Sequence, residues 1–229
     1  MSRATASKLR TIGAIRFGAV LDAKQVDRVA RLFGDGRRPG KRLSCDDLRS
    51  IGDLIGTRGA IGRIATGLLG PGAKPVRALL LDKSEAANWR LGWHQDRTIA
   101  VQERVEVTGF GPWSVKAGQL HVQPPHEITT RMVTLRVHVD GVDHDNAPLS
   151  VLPGSHVKGR LDDDAVQAYA RKQEALTCLA EAGDIWAYST AIVHASPEQK
   201  RSGRRRVLQI DYSAEELLGG LKWAALLEL

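Results

Sequence analysis

The stretch Asn88-Trp89-Arg90-Leu91-Gly92-Trp93-His94-Gln95-Asp96-Arg97-Thr98 lies between an apolar run and a segment rich in Gly and Pro. His94 and Asp96 stand two residues apart within it. Read as a strand over 92–98, this spacing puts an imidazole and a carboxylate on one face, because alternate side chains of a β-strand share a side. The pair supplies two donors of a metal site and needs a third from elsewhere. The candidate is His194, in Ile192-Val193-His194-Ala195-Ser196. Two histidines and one carboxylate with open positions are the donor set of non-haem Fe(II) oxygenases. A chain with seven histidines can show His-x-Asp by chance, and His194 alone reads equally as a satisfied buried histidine. The surrounding pattern has to decide.

Outward from the motif, 75–81 reads as a buried strand. Residues 99–130 show little apolar periodicity and many Gly and Pro, so they read as a long loop, of the kind that serves as a substrate lid. Alternation marks a strand over 131–140; 146–156 reads as turn, short strand and turn; 162–172 reads as an amphipathic helix. Further strands are expected at 175–180, 183–190 and 205–212, and an apolar helix or strand at 217–227. Towards the N-terminus, 45–69 reads as a glycine-broken helical region, 34–40 as a loop, 22–33 as a helix capped by Asp22, and 12–20 as a strand. Helices followed by many short strands predict a mainly β protein. The expected architecture is a double-stranded β-helix of jelly-roll, cupin-like type, with an N-terminal helical layer on one sheet. One domain over 1–229 is expected, with strand and helices at about 12–70 and the β-helix core at about 75–213.

Hydrophobic residues make up 42% and charged residues 26%, which suits a globular protein and leaves no run able to span a bilayer. No apolar h-region follows the basic N-terminus, so no secretory signal is read there. Cys45 and Cys178 lack a CxxC spacing and read as free thiols of a reducing cytoplasm. The net charge of +7 is concentrated in part at 37–42 and 200–206. Nucleic-acid binding, a solvated basic loop and attraction of small anions all fit such runs. The absence of a recognition fold or aromatic platform favours the second over the first. Oligomeric state is not legible.

A dicarboxylate co-substrate on such a metal needs a cation at its far end, and the planar fork of Arg is built to pair with a carboxylate. Arg204, Arg205 and Arg206 open the strand after His194. Alternation puts Arg204 and Arg206 on one face and Arg205 on the other, and leaves open which face is inside.

The chain resembles the phytanoyl-CoA dioxygenase (PhyH) family of Fe(II)/2-oxoglutarate oxygenases over about 78–213. The resemblance is carried by Trp93-His94-Gln95-Asp96, Asp145-Asn146-Ala147-Pro148-Leu149, Leu152-Pro153-Gly154-Ser155-His156, Gly183-Asp184, His194-Ala195-Ser196 and Arg205-Arg206-Val207-Leu208. It implies His94, Asp96 and His194 as the catalytic iron ligands, and Arg205, eleven residues after His194, as the 2-oxoglutarate arginine. Fe(II), 2-oxoglutarate and O2 are then the cofactors. The implied reaction is hydroxylation of an unactivated C–H of a small-molecule metabolite, with release of succinate and CO2; the basic charge suits an anionic one. A retained Asp96 favours hydroxylation or another oxidation over halogenation. Bacterial members of that family normally read Asn-Gly-Pro-Leu where this chain has Ala147, a mild departure with no evident consequence for the metal. The block from Asn146 to His156 is expected to be structural, with His156 a hydrogen-bonding residue and not a ligand.

Substrate contacts are expected among Trp93, Trp113, Lys116, His121, Arg136 and His138. Gln123 is a further candidate in the loop. Arg136 and His138 share one face of their strand, and the opposite face, Leu135, Val137 and Val139, would pack towards helices. Trp93 reads equally as core, and Lys83 reads as solvated more readily than as an anion contact. Two other readings stand beside this one: a cupin-like metal-binding protein without oxygenase activity, and a nucleic-acid-directed dioxygenase.

Overall fold

Two antiparallel sheets face each other in the computed structural model, which describes residues 3–224. The larger sheet runs β1 (Ala14–Phe17), β11 (Ile185–Ser189), β8 (Val133–His138), β13 (Arg205–Ser213), β3 (Lys74–Lys83), β2 (Gly40–Arg42). The smaller runs β10 (Leu176–Cys178), β9 (Leu149–Val151), β12 (His194–Ser196), β4 (Leu91–His94). Their inner faces meet where Trp186 and Tyr188 of β11 pack on Leu149, Val151 and Cys178. This is the expected double-stranded β-helix class.

Alternation sorts the larger sheet. Val133, Leu135 and Val137 of β8, with Leu208 and Ile210 of β13, join Leu48, Ile51, Ile55 and Ile61 of the helical layer in the main core. Thr134, Arg136 and His138 therefore turn to the space between the sheets. The layer is built from α2 (Ala23–Ala30), α3 (Cys45–Leu48), α4 (Gly52–Ile55) and α5 (Gly62–Leu69). Asp22 and Ser44 close capping boxes on α2 and α3. The helices are short because they are pressed together: a Cβ at Gly62 would lie 2.0 Å from the Gly56 carbonyl oxygen.

Three expectations change. The N-terminal strand is only four residues long, because α1 (Arg3–Ile12) takes up the start of it and Gly13, at φ +86°, turns the chain between them. A Cβ there would meet His156 Nδ1 at 2.5 Å, while His156 Nε2 donates to the Arg10 carbonyl at 3.0 Å. The Pro153–His156 turn thus seats the end of α1, a structural task.

Residues 99–130 are not a structureless loop. They hold a small sheet, β5 (Ile99–Ala100), β7 (Gln119–Val122), β6 (Trp113–Lys116), and α6 (His126–Thr130). Their core draws on Val76, Met132, Leu217, Leu221 and Trp223. Apolar partners that distant in sequence leave no local period to read. The tail packs into this core as neither helix nor strand up to residue 224; the rest of the expected tail element lies outside the described residues. The expected amphipathic helix is α7 (Asp163–Lys172), capped by Asp162. No helix among the described residues is long and apolar enough to cross a membrane.

Candidate active site

His94 is the last residue of β4, and Asp96 lies in the irregular segment after it, not in the strand. The Gln95 side chain anchors that segment. Its Nε2 donates to the carbonyls of Ala191 (2.9 Å) and Gly159 (3.1 Å), and its Oε1 accepts from Leu161 N–H. Across the sheet His194 pairs in register with His94, with ring centroids 4.2 Å apart. One donor atom from each of His94, Asp96 and His194 lies within 4.8 Å of the others.

Both imidazoles are fixed from behind. His94 Nδ1 meets the Gly92 carbonyl at 2.8 Å and His194 Nδ1 the Ile192 carbonyl at 3.0 Å. A carbonyl only accepts, so each Nδ1 carries the proton and, in a neutral ring, each Nε2 keeps its lone pair. Burial, then the neighbouring His94, pushes His194 down to about 4, so it is neutral at pH 7. Burial alone would raise the Asp96 carboxyl; Arg77, then His194 and His94, override it and bring it down to about 2. Neutral imidazole and charged carboxylate are the protonation states a divalent metal requires. The donor set fits Fe(II).

Sequence reasoning missed Arg77. It is buried in β3, 2.5 Å from Asp211 and 3.2 Å from Asp96. Asp211 also accepts from Thr134 Oγ1 at 2.9 Å. The signal was available: an Arg and an Asp inside strands otherwise reading as apolar are costly unless paired.

Deeper between the sheets lies a cluster of cations. Arg205 and Lys83 are cross-strand partners on the inner face. Arg205 is 1% exposed; its Nη1 donates to the Ala147 carbonyl at 2.6 Å and its Nε has no partner. Lys83 is fully buried rather than solvated. Its Nζ donates to Ser196 Oγ (3.0 Å) and the Pro197 carbonyl and sits 4.9 Å from the Trp89 ring centre. Burial, then Arg205 and Arg136, lowers Lys83 to about 7. His138 faces the same space, with neither ring nitrogen bonded, and is held down to about 3 by burial and then Arg136 and Arg205. Among the described residues none of Arg205, Lys83 and Arg136 forms an ion pair. Arg204 and Arg206 are instead paired with Asp82 and Asp140 at 2.6 and 2.7 Å. Ala147, whose carbonyl receives Arg205 and Ser196 Oγ, sits at φ +61°, a conformation natural to glycine.

A family model described as phytanoyl-CoA dioxygenase (PhyH) matches residues 70–207, more than half of the chain. The chain belongs to the PhyH family. It is a 2-oxoglutarate-dependent non-haem iron dioxygenase by class, with Fe(II), 2-oxoglutarate and O2 as cofactors. Solved structures share the fold. AviO1 from Streptomyces viridochromogenes Tue57 is 20% identical with a TM-score of 0.63, over 93% of this chain and 95% of that one. EctD from S. alaskensis is 16% identical with a TM-score of 0.68, over 93% of this chain and 77% of that one. EctD is also known with bound Fe, and with 2-oxoglutarate and 5-hydroxyectoine. SnoN, a non-haem α-ketoglutarate-dependent epimerase from nogalamycin biosynthesis, is 19% identical with a TM-score of 0.65, over 91% of this chain and 79% of that one. A search of the curated proteins found no match.

Within this PhyH fold the remaining candidates divide. Trp93 points away from its neighbour His94 and packs with Leu152, Val166 and Val193; it does not wall the metal site. Trp113 pairs with Val122 in the small core, with Arg104 at 5.4 Å from its ring centre, and belongs to that core, not to the pocket. Both tryptophans follow from alternation: each is the wrong parity for the inner face. Gln123 ties the segment to the Gly111 carbonyl. Lys116 and His121 lie on the opposite face of the β6–β7 hairpin from Trp113, the face turned to Asp96.

Proposed function

We propose that the chain hydroxylates an unactivated C–H of a small-molecule substrate, with His94, Asp96 and His194 holding Fe(II). The observation that carries the reading is the convergence of those three donors, each imidazole already locked by a backbone carbonyl. Arg205 and Lys83 hold the distal carboxylate of 2-oxoglutarate: they are buried cations side by side with no carboxylate of their own. Arg136 adds to the same positive field and orients through Gln209 Oε1 at 3.3 Å. Held there, iron with 2-oxoglutarate and O2 would supply the oxidising equivalent, with succinate and CO2 as the co-products. The protein's part is to fix the two imidazoles and Asp96, to neutralise the co-substrate, and to keep the pocket dry between the sheets. Asp96 as the third ligand supports hydroxylation or desaturation.

Pairing of the basic runs supports a small substrate over nucleic acid. Arg37, Lys41, Arg201, Arg204 and Arg206 each meet a carboxylate of this chain. A screen of small metabolites for substrate-dependent succinate release tests the proposal. Release that depends on one compound and vanishes in His194→Ala is expected; a panel-independent rate that His194→Ala leaves unchanged overturns it.

A further inference from the structure

The inner face of the β6–β7 hairpin carries Ser114, Lys116, Gln119 and His121, in cross-strand pairs Ser114–His121 and Lys116–Gln119. It is wholly polar, although buried atoms lie on it. Ser114 Oγ, Gln119 Oε1 and His121 Nε2 are all out of contact with solvent and without a hydrogen-bond partner. Opposite it, Arg42 at the end of β2 stands across from Leu79 and so points inward; its Nε is likewise buried and unpartnered. Unsatisfied buried polar atoms are rare and each costs about 1–3 kcal/mol, so four around one space call for a missing partner.

The charge in that space is unbalanced. Arg42 and Lys116 act on each other, on Arg77 and on Asp96, which places all four together beside the metal donors. Two carboxylates of the described residues lie there, Asp96 and Asp211, and both are engaged by Arg77. Lys116 Nζ is held by Thr98 Oγ1 at 2.8 Å, and neither Lys116 nor Arg42 forms an ion pair among the described residues. A cleft of about 570 Å3, lined by residues 38–42, Leu79, Leu80, Leu81 and Ala117, opens at Arg42 and touches the hairpin at its tip. It gives a small molecule access to the Arg42 edge of this space.

The unpartnered atoms also define what surrounds the negative charge. His121 Nδ1 meets the Gln119 carbonyl at 2.9 Å, so it carries the proton, and Nε2 of the neutral ring accepts. Burial holds that ring down to about 4. Gln119 Oε1 accepts as well. The site therefore offers two cations and two acceptors at once.

We propose that Arg42 and Lys116 bind the anionic group, carboxylate or phosphate, of a small substrate whose neighbouring hydroxyl or amine donates to His121 and Gln119. The inference rests on the iron and 2-oxoglutarate reading above and names the substrate class for it.

The test uses the full chain loaded anaerobically with Fe(II) and 2-oxoglutarate, so that the metal positions are filled. Binding of 4-hydroxybutyrate, butyrate, glycerol 3-phosphate and 1,4-butanediol is measured by calorimetry. One of the two hydroxylated anions should bind, the carboxylate arm and the phosphate arm telling the two groups apart. It should bind at least several-fold more tightly than butyrate, and the uncharged diol should not bind. Arg42→Gln and Lys116→Gln should each weaken it about tenfold, while 2-oxoglutarate affinity stays within twofold of wild type. Both side chains are half-buried, and thermal melts confirm that the variants fold. No binding of either hydroxylated anion, or equal binding by wild type and both variants, overturns the proposal. If Fe(II) or 2-oxoglutarate fails to bind wild type, it is the iron reading that falls. If both bind and the anions do not, this inference alone falls.

Discussion

Replacing Arg77 by Met tests how the iron carboxylate is held. Arg77 is 7% exposed as a side chain and lies between Asp211 at 2.5 Å and Asp96 at 3.2 Å. The substitution roughly keeps the volume and leaves the buried Asp211 and the half-buried Asp96 facing each other without a cation. Removing one partner of a buried pair costs about 3–5 kcal/mol. For a chain of this size each kcal/mol moves the melting midpoint by about 2–4 °C, so the midpoint should fall by roughly 6–20 °C. The pH dependence has a definite sign. Asp96 titrates at about 2 in the folded protein, below the unfolded value near 3.9. Its contribution is therefore present above about pH 4 and lost as the pH falls towards 2. In Arg77→Met that acid-labile part should shrink. Iron affinity, read by anaerobic Fe(II) titration, should drop about 10–100-fold because Asp96 loses its orienting partner. Adding Asp211→Leu should recover most of the stability, since an apolar pair replaces an ion pair, without restoring iron affinity. A single variant within about 1 kcal/mol of wild type, or a double variant that recovers both properties, refutes the reasoning.

Other outcomes follow from the cation cluster and the strained turn. Arg205→Ala should weaken 2-oxoglutarate binding by about 2–5 kcal/mol in calorimetry, whereas Arg204→Ala and Arg206→Ala should leave it nearly unchanged. Lys83→Met should also weaken 2-oxoglutarate, yet stabilise the apoprotein at neutral pH. Burial, then Arg205 and Arg136, depresses Lys83 to about 7, so the wild type gains stability as pH rises from about 7 to 10.5, and urea melts of the variant should be flatter across that window. Ala147→Gly should raise stability by about 1 kcal/mol in urea melts, by relieving the positive φ; a loss of stability would mean the turn is not strained.

The metal donors were legible because the two-residue spacing brings His94 and Asp96 together even though β4 ends at His94 and Asp96 lies beyond it. The same parity argument, carried one residue back, also separates Trp93 from the inner face, since it adjoins His94; Trp93 was expected as a substrate contact because that argument was not applied there. Arg205 was legible only through family resemblance, and its partner Lys83 was not, because their pairing depends on the register of β3 against β13. The 99–130 segment was unreadable for a different reason: its core is completed by Val76 and Leu217, far away in sequence. The β6–β7 hairpin therefore appears only in three dimensions, and with it the difference between Trp113, which faces that core, and Lys116 and His121, which face Asp96.

The central claim is that His94, Asp96 and His194 form one iron site. Anaerobic Fe(II) titration of wild type against His94→Ala, Asp96→Ala and His194→Ala tests it most directly. The account predicts one Fe(II) per chain in the wild type and a loss of affinity of at least tenfold in each variant, with folding intact. Undiminished Fe(II) binding in both His94→Ala and His194→Ala would contradict it.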